Sequence, residues 1–433
     1  MESEGGDRPK IRRALHLLAL IAAGETIFFL PFVLARVFRP TVLEVFELTN
    51  LQLGTAFAIY GVVAMVAYFP GGPVADAFSP RKLLSAALLT TAAGGLIFFT
   101  VPSLATLKWL YTYWGLTTIA LFWAALMRAT REWGGEKKQG TAFGILDGGR
   151  GLLTAMTGSA MVAIYAGLLP ADVETATLQQ RTEAFRHVIL ITAGLTAATA
   201  ILVWLILPKQ HSRRATHHSR LNMHGILHVV KMPTVWLQSL IIICAYVGFK
   251  ATDDFSLYAS DVLGLDEVQA ARAGTISLWI RPVGAIAAGY LADRTSPGTM
   301  TIVSFLLLAI GSLILGCDLI RTGLYIPFVM TVICASLGIF ALRGLYYAIM
   351  KEGKVPLAYT GSAVGIVSVI GYTPDIFMGP AMGHLLDTSP GPAGHQHVFL
   401  LVFAFAITGL LLSLAFYKLT RQSQKNTIAH QRR

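Results

Sequence analysis

Twelve times along the chain an almost unbroken apolar run extends for about 20 residues, the length a helix needs to cross the hydrocarbon core of a bilayer. The spacing predicts spans over 14–37, 51–75, 82–101, 105–127, 140–168 and 187–207, then over 234–256, 269–292, 299–317, 325–349, 359–386 and 397–417. Charge is scarce to match: 13% of the 433 residues are charged, against about 25% in a soluble domain. Soluble enzymes, disordered chains and disulfide-stapled secreted domains are excluded. Cys244, Cys317 and Cys334 lie in apolar runs without CxxC or Cys/His spacing, so neither a disulfide framework nor a metal site is indicated.

The placement of the basic residues orients the spans. An even count puts both termini on one side, and the termini and even-numbered loops hold 23 of the 34 Lys and Arg, including Arg12, Arg13, Arg81, Lys82, Lys137, Lys138, Arg213, Arg214, Arg220 and Arg421. The opposite loops hold seven and the spans four. By the positive-inside rule both ends are expected in the cytoplasm, and the net charge of +11 reads as topology rather than as a nucleic-acid surface. No cleavable signal is evident in the long first run.

The chain repeats itself. Gly72-Pro73-Val74-Ala75-Asp76-Ala77-Phe78-Ser79-Pro80 recurs as Gly289-Tyr290-Leu291-Ala292-Asp293-Arg294-Thr295-Ser296-Pro297, 217 residues on, and Gly140-Thr141-Ala142-Phe143-Gly144-Ile145 as Gly361-Ser362-Ala363-Val364-Gly365-Ile366, 221 residues on. The second span therefore maps to the eighth and the fifth to the eleventh. The expected organisation is an all-α integral membrane protein: a six-helix bundle over 1–207, a basic cytoplasmic linker over 208–231 with five histidines, and a pseudo-symmetric bundle over 232–433. The later part of that linker, around Leu227 and Val230, is patterned for a short amphipathic helix at the interface.

Gly72-xxx-Asp76-xxxx-Arg81-Lys82 resembles the signature loop of the major facilitator superfamily. The second copy keeps Gly289 and Asp293-Arg294 and loses the later basic pair, Ser79-Pro80 replaces the family's usual glycine, and span 5 lacks the Gly-Pro motif of drug exporters. Arg281-Pro282-Val283-Gly284 leading into Gly289 is similar to organic-anion and nitrate carriers, and the whole chain resembles uncharacterised bacterial inner-membrane carriers. The resemblance implies a secondary transporter in the inner membrane, a monomer working by alternating access, with Asp76, Arg81 and Asp293 as gating residues. Asp76 would accept hydrogen bonds from the positive N-terminus of span 11 when the cytoplasmic side is closed; the competing role is that Asp76 and Arg81 set topology and solvate a tight turn.

Small residues and ionisable residues inside the spans carry the remaining information. Gly140, Gly144 and Gly148 share one face of span 5, and Gly361 and Gly365 repeat the theme in span 11, which predicts close packing of each against a helix of the other half. Gly371, Pro374, Gly379 and Pro380 predict a kink or break in span 11. Each charge at a helix centre costs at least about 2.5 kcal/mol unless it is paired or faces a cavity. Nine qualify: Glu25, Asp147, Arg150, Lys250, Asp253, Asp254, Arg281, Arg343 and Asp375. Asp147 with Arg150, and Lys250 with Asp253 or Asp254, share helix faces, so each set is expected either to pair locally or to serve the solute and proton path.

Arg281, at mid-depth with Trp279 and Pro282 for neighbours and no acid adjacent in sequence, is expected to contact an anionic solute, or else an acid from another span. Arg150, Lys250, Tyr372 and Trp279 complete the expected solute set, and Arg343 is a candidate gate. Glu25, the lone charge of span 1, is either a proton-coupling carboxyl or the fixed partner of an arginine; Asp375 and Asp147 are the other proton candidates. Neither a nucleophile triad, HExxH nor GxxxxGK[ST] occurs, so enzyme chemistry, ATP-driven transport and a cofactor are not expected. The function expected is proton-coupled transport of a small organic anion, with proton-driven export of a drug or metabolite as the alternative.

Overall fold

The computed structural model describes residues 7–135, 139–209, 223–350, 352–353, 355 and 360–431. Twelve helices in it are long and apolar enough to cross a membrane: Ile11–Val37, Asn50–Ala77, Pro80–Phe99, Leu104–Gly134, Ala142–Leu168, Leu178–Ile206, Pro233–Ala251, Glu267–Arg294, Pro297–Gly316, Tyr325–Leu345, Ala363–Thr388 and Pro392–Arg421. They are spans 1 to 12, at the positions the apolar runs predict. A short helix, Met223–Val230, precedes span 7. Most of the linker, with Arg213, Arg214 and Arg220, lies outside the described residues, as do Lys137 and Lys138.

Local chemistry fixes the ends. The two copies of the repeated Ser-Pro do the same work: Ser79 stands at the N-cap of span 3 and Ser296 at that of span 9, each followed by proline at the first helical position, where its missing N–H costs nothing. In the second copy the Ser296 hydroxyl accepts the Thr299 N–H at 3.1 Å. Just beyond it the half-buried Glu352 carboxylate accepts the Gly298 N–H at 3.2 Å. Burial raises the Glu352 carboxyl above the ordinary range, and that N–H pulls it back. Thr49 and Thr177 close spans 2 and 6 with reciprocal capping boxes.

By packing, the chain divides into two units, Met1–His217 with Leu265–Trp279, and His218–Gly264 with Ile280–Arg433. The division differs from a cut at the linker, because the first half of span 8 packs with unit 1. Polar anchors explain it. The buried Glu267 carboxylate accepts Tyr165 OH at 3.0 Å and Thr41 Oγ1 at 3.4 Å, and lies 3.2 Å from Arg181 Nε. Further along, Trp279 Nε1 donates to Ser159 Oγ at 3.0 Å. Unit 1 is cored by aromatic rings from spans 1 to 6, with Trp114, Tyr111, Phe98, Tyr165 and Phe185 fully buried. In unit 2, Tyr258 stacks on Phe328 and Phe255 on Phe399.

Four spans depart from regular α-helix, each beside an ionisable or aromatic group considered below. Span 1 loosens after Thr26 and runs as a π-helical turn over Phe29–Val33 around Pro31. Span 4 is π-helical over Leu116–Trp123. There Thr117 and Thr118 both bond back to the Trp114 carbonyl, at 3.3 and 2.7 Å, and compete with the regular ladder. Span 7 ends at Ala251, and Thr252–Asp254 close the turn with the short i to i−3 bonds Asp253 N–H to Lys250 O and Asp254 N–H to Ala251 O before a helix over Phe255–Asp261. Span 11 breaks at Tyr372 and Thr373, between helices Thr360–Gly371 and Pro374–Thr388, as its glycines and prolines predict.

Candidate solute and ion-coupling site

In unit 1, Glu25 meets Arg150. Arg150 Nε donates to Glu25 Oε2 at 3.1 Å, and both side chains are buried. Glu25 ends the regular part of span 1, so its carboxylate is delivered where the helix loosens. Gly24 makes room for the arginine: a Cβ there would stand 3.0 Å from Arg150 Cδ and 3.1 Å from Leu126 Cδ2. The guanidinium carbon lies 5.9 Å from the Phe28 ring and 5.7 Å from the Trp123 ring at the end of the π-helical stretch of span 4. The two rings themselves pack edge to face at 6.3 Å, so both stand on one side of the guanidinium, which gains cation–π attraction from them. Asp147, exposed one turn earlier on span 5, is 3.8 Å from Arg150 Nη1.

In unit 2, Lys250 stands at the end of regular span 7. Its ammonium is 3.1 Å from Asp253 Oδ2 and 3.7 Å from Asp375 Oδ1, so two carboxylates share one cation. Lys250 and Asp253 are buried, whereas the Asp375 side chain keeps 23% of its surface exposed. Asp375 lies in the first turn after the span 11 break, where the helix dipole favours an anion. Tyr246 OH donates to Asp375 Oδ2 at 3.0 Å. A chain of hydroxyls continues the cluster: the Tyr246 ring packs on Tyr372 at 5.1 Å, and Tyr347 OH lies 3.0 Å from Tyr372 OH and 2.8 Å from Ser368 Oγ. Arg343 joins it through the Phe249 ring, 3.9 Å below its guanidinium carbon.

The two clusters correspond. An offset of 225 residues separates Glu25 from Lys250 and also Arg150 from Asp375, so each unit pairs the end of its first regular helix with its fifth span and the signs are exchanged.

The remaining expected residues lie elsewhere. Arg281 is half-buried one residue before Pro282, in the part of span 8 that belongs to unit 2. Trp279 belongs to unit 1 and is engaged with Ser159. Asp76 and Asp293 are exposed at the ends of spans 2 and 8, and Arg81 stacks over the Trp204 ring at 4.4 Å. Of the glycines expected to face the other half, a Cβ at Gly144 or Gly365 meets no atom within 4 Å among the described residues. The tightest of the described approaches within these two spans are at Gly149, against Ile21 at 2.6 Å, and at Gly371, against Ile242 at 2.5 Å. Gly24 and Tyr246 had a faint signal in sequence, a glycine beside a lone acid and a hydroxyl one turn from a lone lysine. Glu267 and His395 sit near helix starts, where a polar residue draws no attention.

Two six-span repeats, each with a buried ion cluster at helix breaks, define a membrane transporter rather than an enzyme. The Major Facilitator Superfamily profile matches residues 16–377, and the chain belongs to that family. It is similar to the inner membrane protein YqcE of Escherichia coli K12, 24% identical over 417 residues that cover 94% of each chain. The nitrate/nitrite transporter NarU of the same organism is 26% identical over 260 residues, 54% of each chain. Among solved structures, a bacterial homologue of the human lysosomal transporter Spinster, inward-facing and unoccupied, superposes with a TM-score of 0.71 over 94% of this chain and 98% of that one, at 16% identity.

Proposed function

We propose that the protein is a proton-coupled carrier of a small organic anion in a bacterial inner membrane, with both termini cytoplasmic, working by alternating access. The observation that carries this reading is the sharing of Lys250 between Asp253 and the partly exposed Asp375. Protonating Asp375 removes one of the two counter-charges around the ammonium, and of the in-span ionisable groups of this unit three bases, Lys250, Arg281 and Arg343, then outweigh two acids, Asp253 and Asp254. An anion is favoured in that state and disfavoured once the proton leaves, which ties the two movements together. Arg281 supplies the fork for a carboxylate, sulfonate or similar group, with Lys250 and Tyr372 as further contacts. Glu25 has the role of fixed partner to Arg150, and Asp147 is that pair's exposed neighbour. Asp76, Arg81, Asp293 and Arg343 gate. A relative named for nitrate and nitrite transport supports an anion as the solute.

The test is uptake into proteoliposomes of a panel of short-chain carboxylates, sugar acids, sulfonates and nitrate, with and without an imposed pH gradient. Asp375→Asn is expected to abolish gradient-driven accumulation while solute exchange survives. Arg281→Ala is expected to weaken solute affinity tenfold or more, and Arg281→Lys to restore little of it. Accumulation by Asp375→Asn equal to wild type would overturn the proton assignment.

A further inference from the structure

Beyond the mid-span clusters, unit 2 buries a histidine between two carboxylates. His395, in the first turn of the helix Pro392–Gln431, is fully buried. Its Nδ1 lies 2.8 Å from Asp254 Oδ2 and its Nε2 lies 3.2 Å from Asp261 Oδ2. A carboxylate only accepts hydrogen bonds, so both contacts are hydrogen bonds only when both ring nitrogens carry hydrogen, that is, when the ring is imidazolium. A neutral ring loses one of the two. The surroundings offer this cation little else. Tyr258 lays its ring across the imidazole at 5.3 Å, with Phe328 and Phe399 behind it. The helix dipole at this first turn disfavours a cation. From the loop after span 9, Asp318 is occupied by Gln396 at 3.1 Å and Arg321 at 2.7 Å.

The two carboxylates are not equivalent. Asp261 is 39% exposed in its side chain, whereas Asp254 is fully buried and its Oδ1 has no hydrogen-bond partner among the described residues. One nitrogen thus faces an acid in contact with solvent, and the other faces a buried acid with an oxygen to spare. Asp254 is the chain neighbour of Asp253, the closer carboxylate of Lys250.

We infer that Asp261, His395 and Asp254 form a proton-binding site in unit 2, filled through Asp261 from the face opposite the termini and delivering to the break where Lys250 is held. A proton taken up at Nε2 makes imidazolium; transfer of the Nδ1 hydrogen to Asp254 then leaves a neutral imidazole and a buried carboxylic acid, with total charge conserved. The site deepens the proton-coupled reading, and rests on it only for what the proton is used for.

The experiment follows the proton directly, on full-length protein in lipid nanodiscs without solute or gradient. Hydrogen–deuterium exchange at the histidine C2 position, read by mass spectrometry across pH, reports the protonation of each histidine separately. His395 is expected to titrate with a single midpoint. Asp261→Asn, a change at the exposed member, is expected to weaken proton binding about tenfold, a shift of about one pH unit, because it removes a negative charge at hydrogen-bond distance. Asp261→Glu is expected to restore most of it. Asp254→Asn should weaken it further where the protein folds, and Asp261→Asn decides the matter where it does not. A midpoint unmoved by Asp261→Asn, or a His395 that does not titrate, overturns the site. Failure of the carrier to follow a pH gradient would instead overturn the coupling reading and leave this titration as it is.

Discussion

The mid-span clusters of the two units have the same plan and opposite signs, and they differ most in how firmly they are held. In unit 1 an arginine reaches an acid directly, its stem laid against Gly24 and its head beside a pair of rings. In unit 2 a lysine divides itself between two acids, and the more distant acid is partly exposed and tied by a tyrosine hydroxyl. A planar fork held by an acid, with its stem packed and rings on one side, has few good positions, whereas an ammonium on a flexible stem can trade partners at small cost. The unit 1 cluster is therefore built as a fixed joint and the unit 2 cluster as the exchangeable one.

Removing an acid from each unit tests that contrast most severely. Glu25→Ala takes away the oxygen 3.1 Å from a buried guanidinium, and about 3–5 kcal/mol of stability is expected to go with it. Asp375→Ala, which leaves Lys250 its nearer carboxylate at 3.1 Å, is expected to cost less than half as much. Thermal unfolding of both purified variants in one detergent checks this, and equal losses would erase the difference. A smaller effect is expected from the steric probe of unit 1. Gly24→Ala presses a methyl on the arginine stem and is expected to cost about 1–2 kcal/mol, while Gly144→Ala, on the same unit's open face, should cost nothing measurable. A harmless Gly24→Ala would show that the joint has slack. The smallest effect sharpens the picture of unit 2: Tyr246→Phe deletes one of the contacts that Asp375→Ala removes, a hydrogen bond to a partly exposed acceptor worth about 1 kcal/mol, with transport rate changing more than melting temperature.

The spans were legible because apolar length is a local property, written at each of the twelve places independently. Pairing was legible only where both partners lie within one turn of chain, as with Lys250 and Asp253 or Arg150 and Asp147. The contact of Glu25 with Arg150 joins residues 125 positions apart, and nothing in either neighbourhood chooses between a proton site and an ion pair. The break in span 11 followed from proline and glycine, but the π-helical stretch of span 4 did not, since threonines bonding back to a carbonyl look in sequence like threonines anywhere. The small-residue face of span 5 is ambiguous for a related reason: a glycine stripe permits close approach without requiring it, and a Cβ at Gly144 meets open space among the described residues.

That openness has a practical use. Gly144 and Gly365 occupy matching places in the two repeats, and at each an added side chain begins in empty space. With the native cysteines, above all the exposed Cys317, replaced by serine or alanine, a cysteine introduced at both would carry a pair of spin labels or fluorophores away from the ion clusters. The distance between the labels, followed by pulsed electron resonance or single-molecule energy transfer while candidate solutes are added one by one, would turn the molecule into its own substrate detector, with no need for a radioactive copy of each compound.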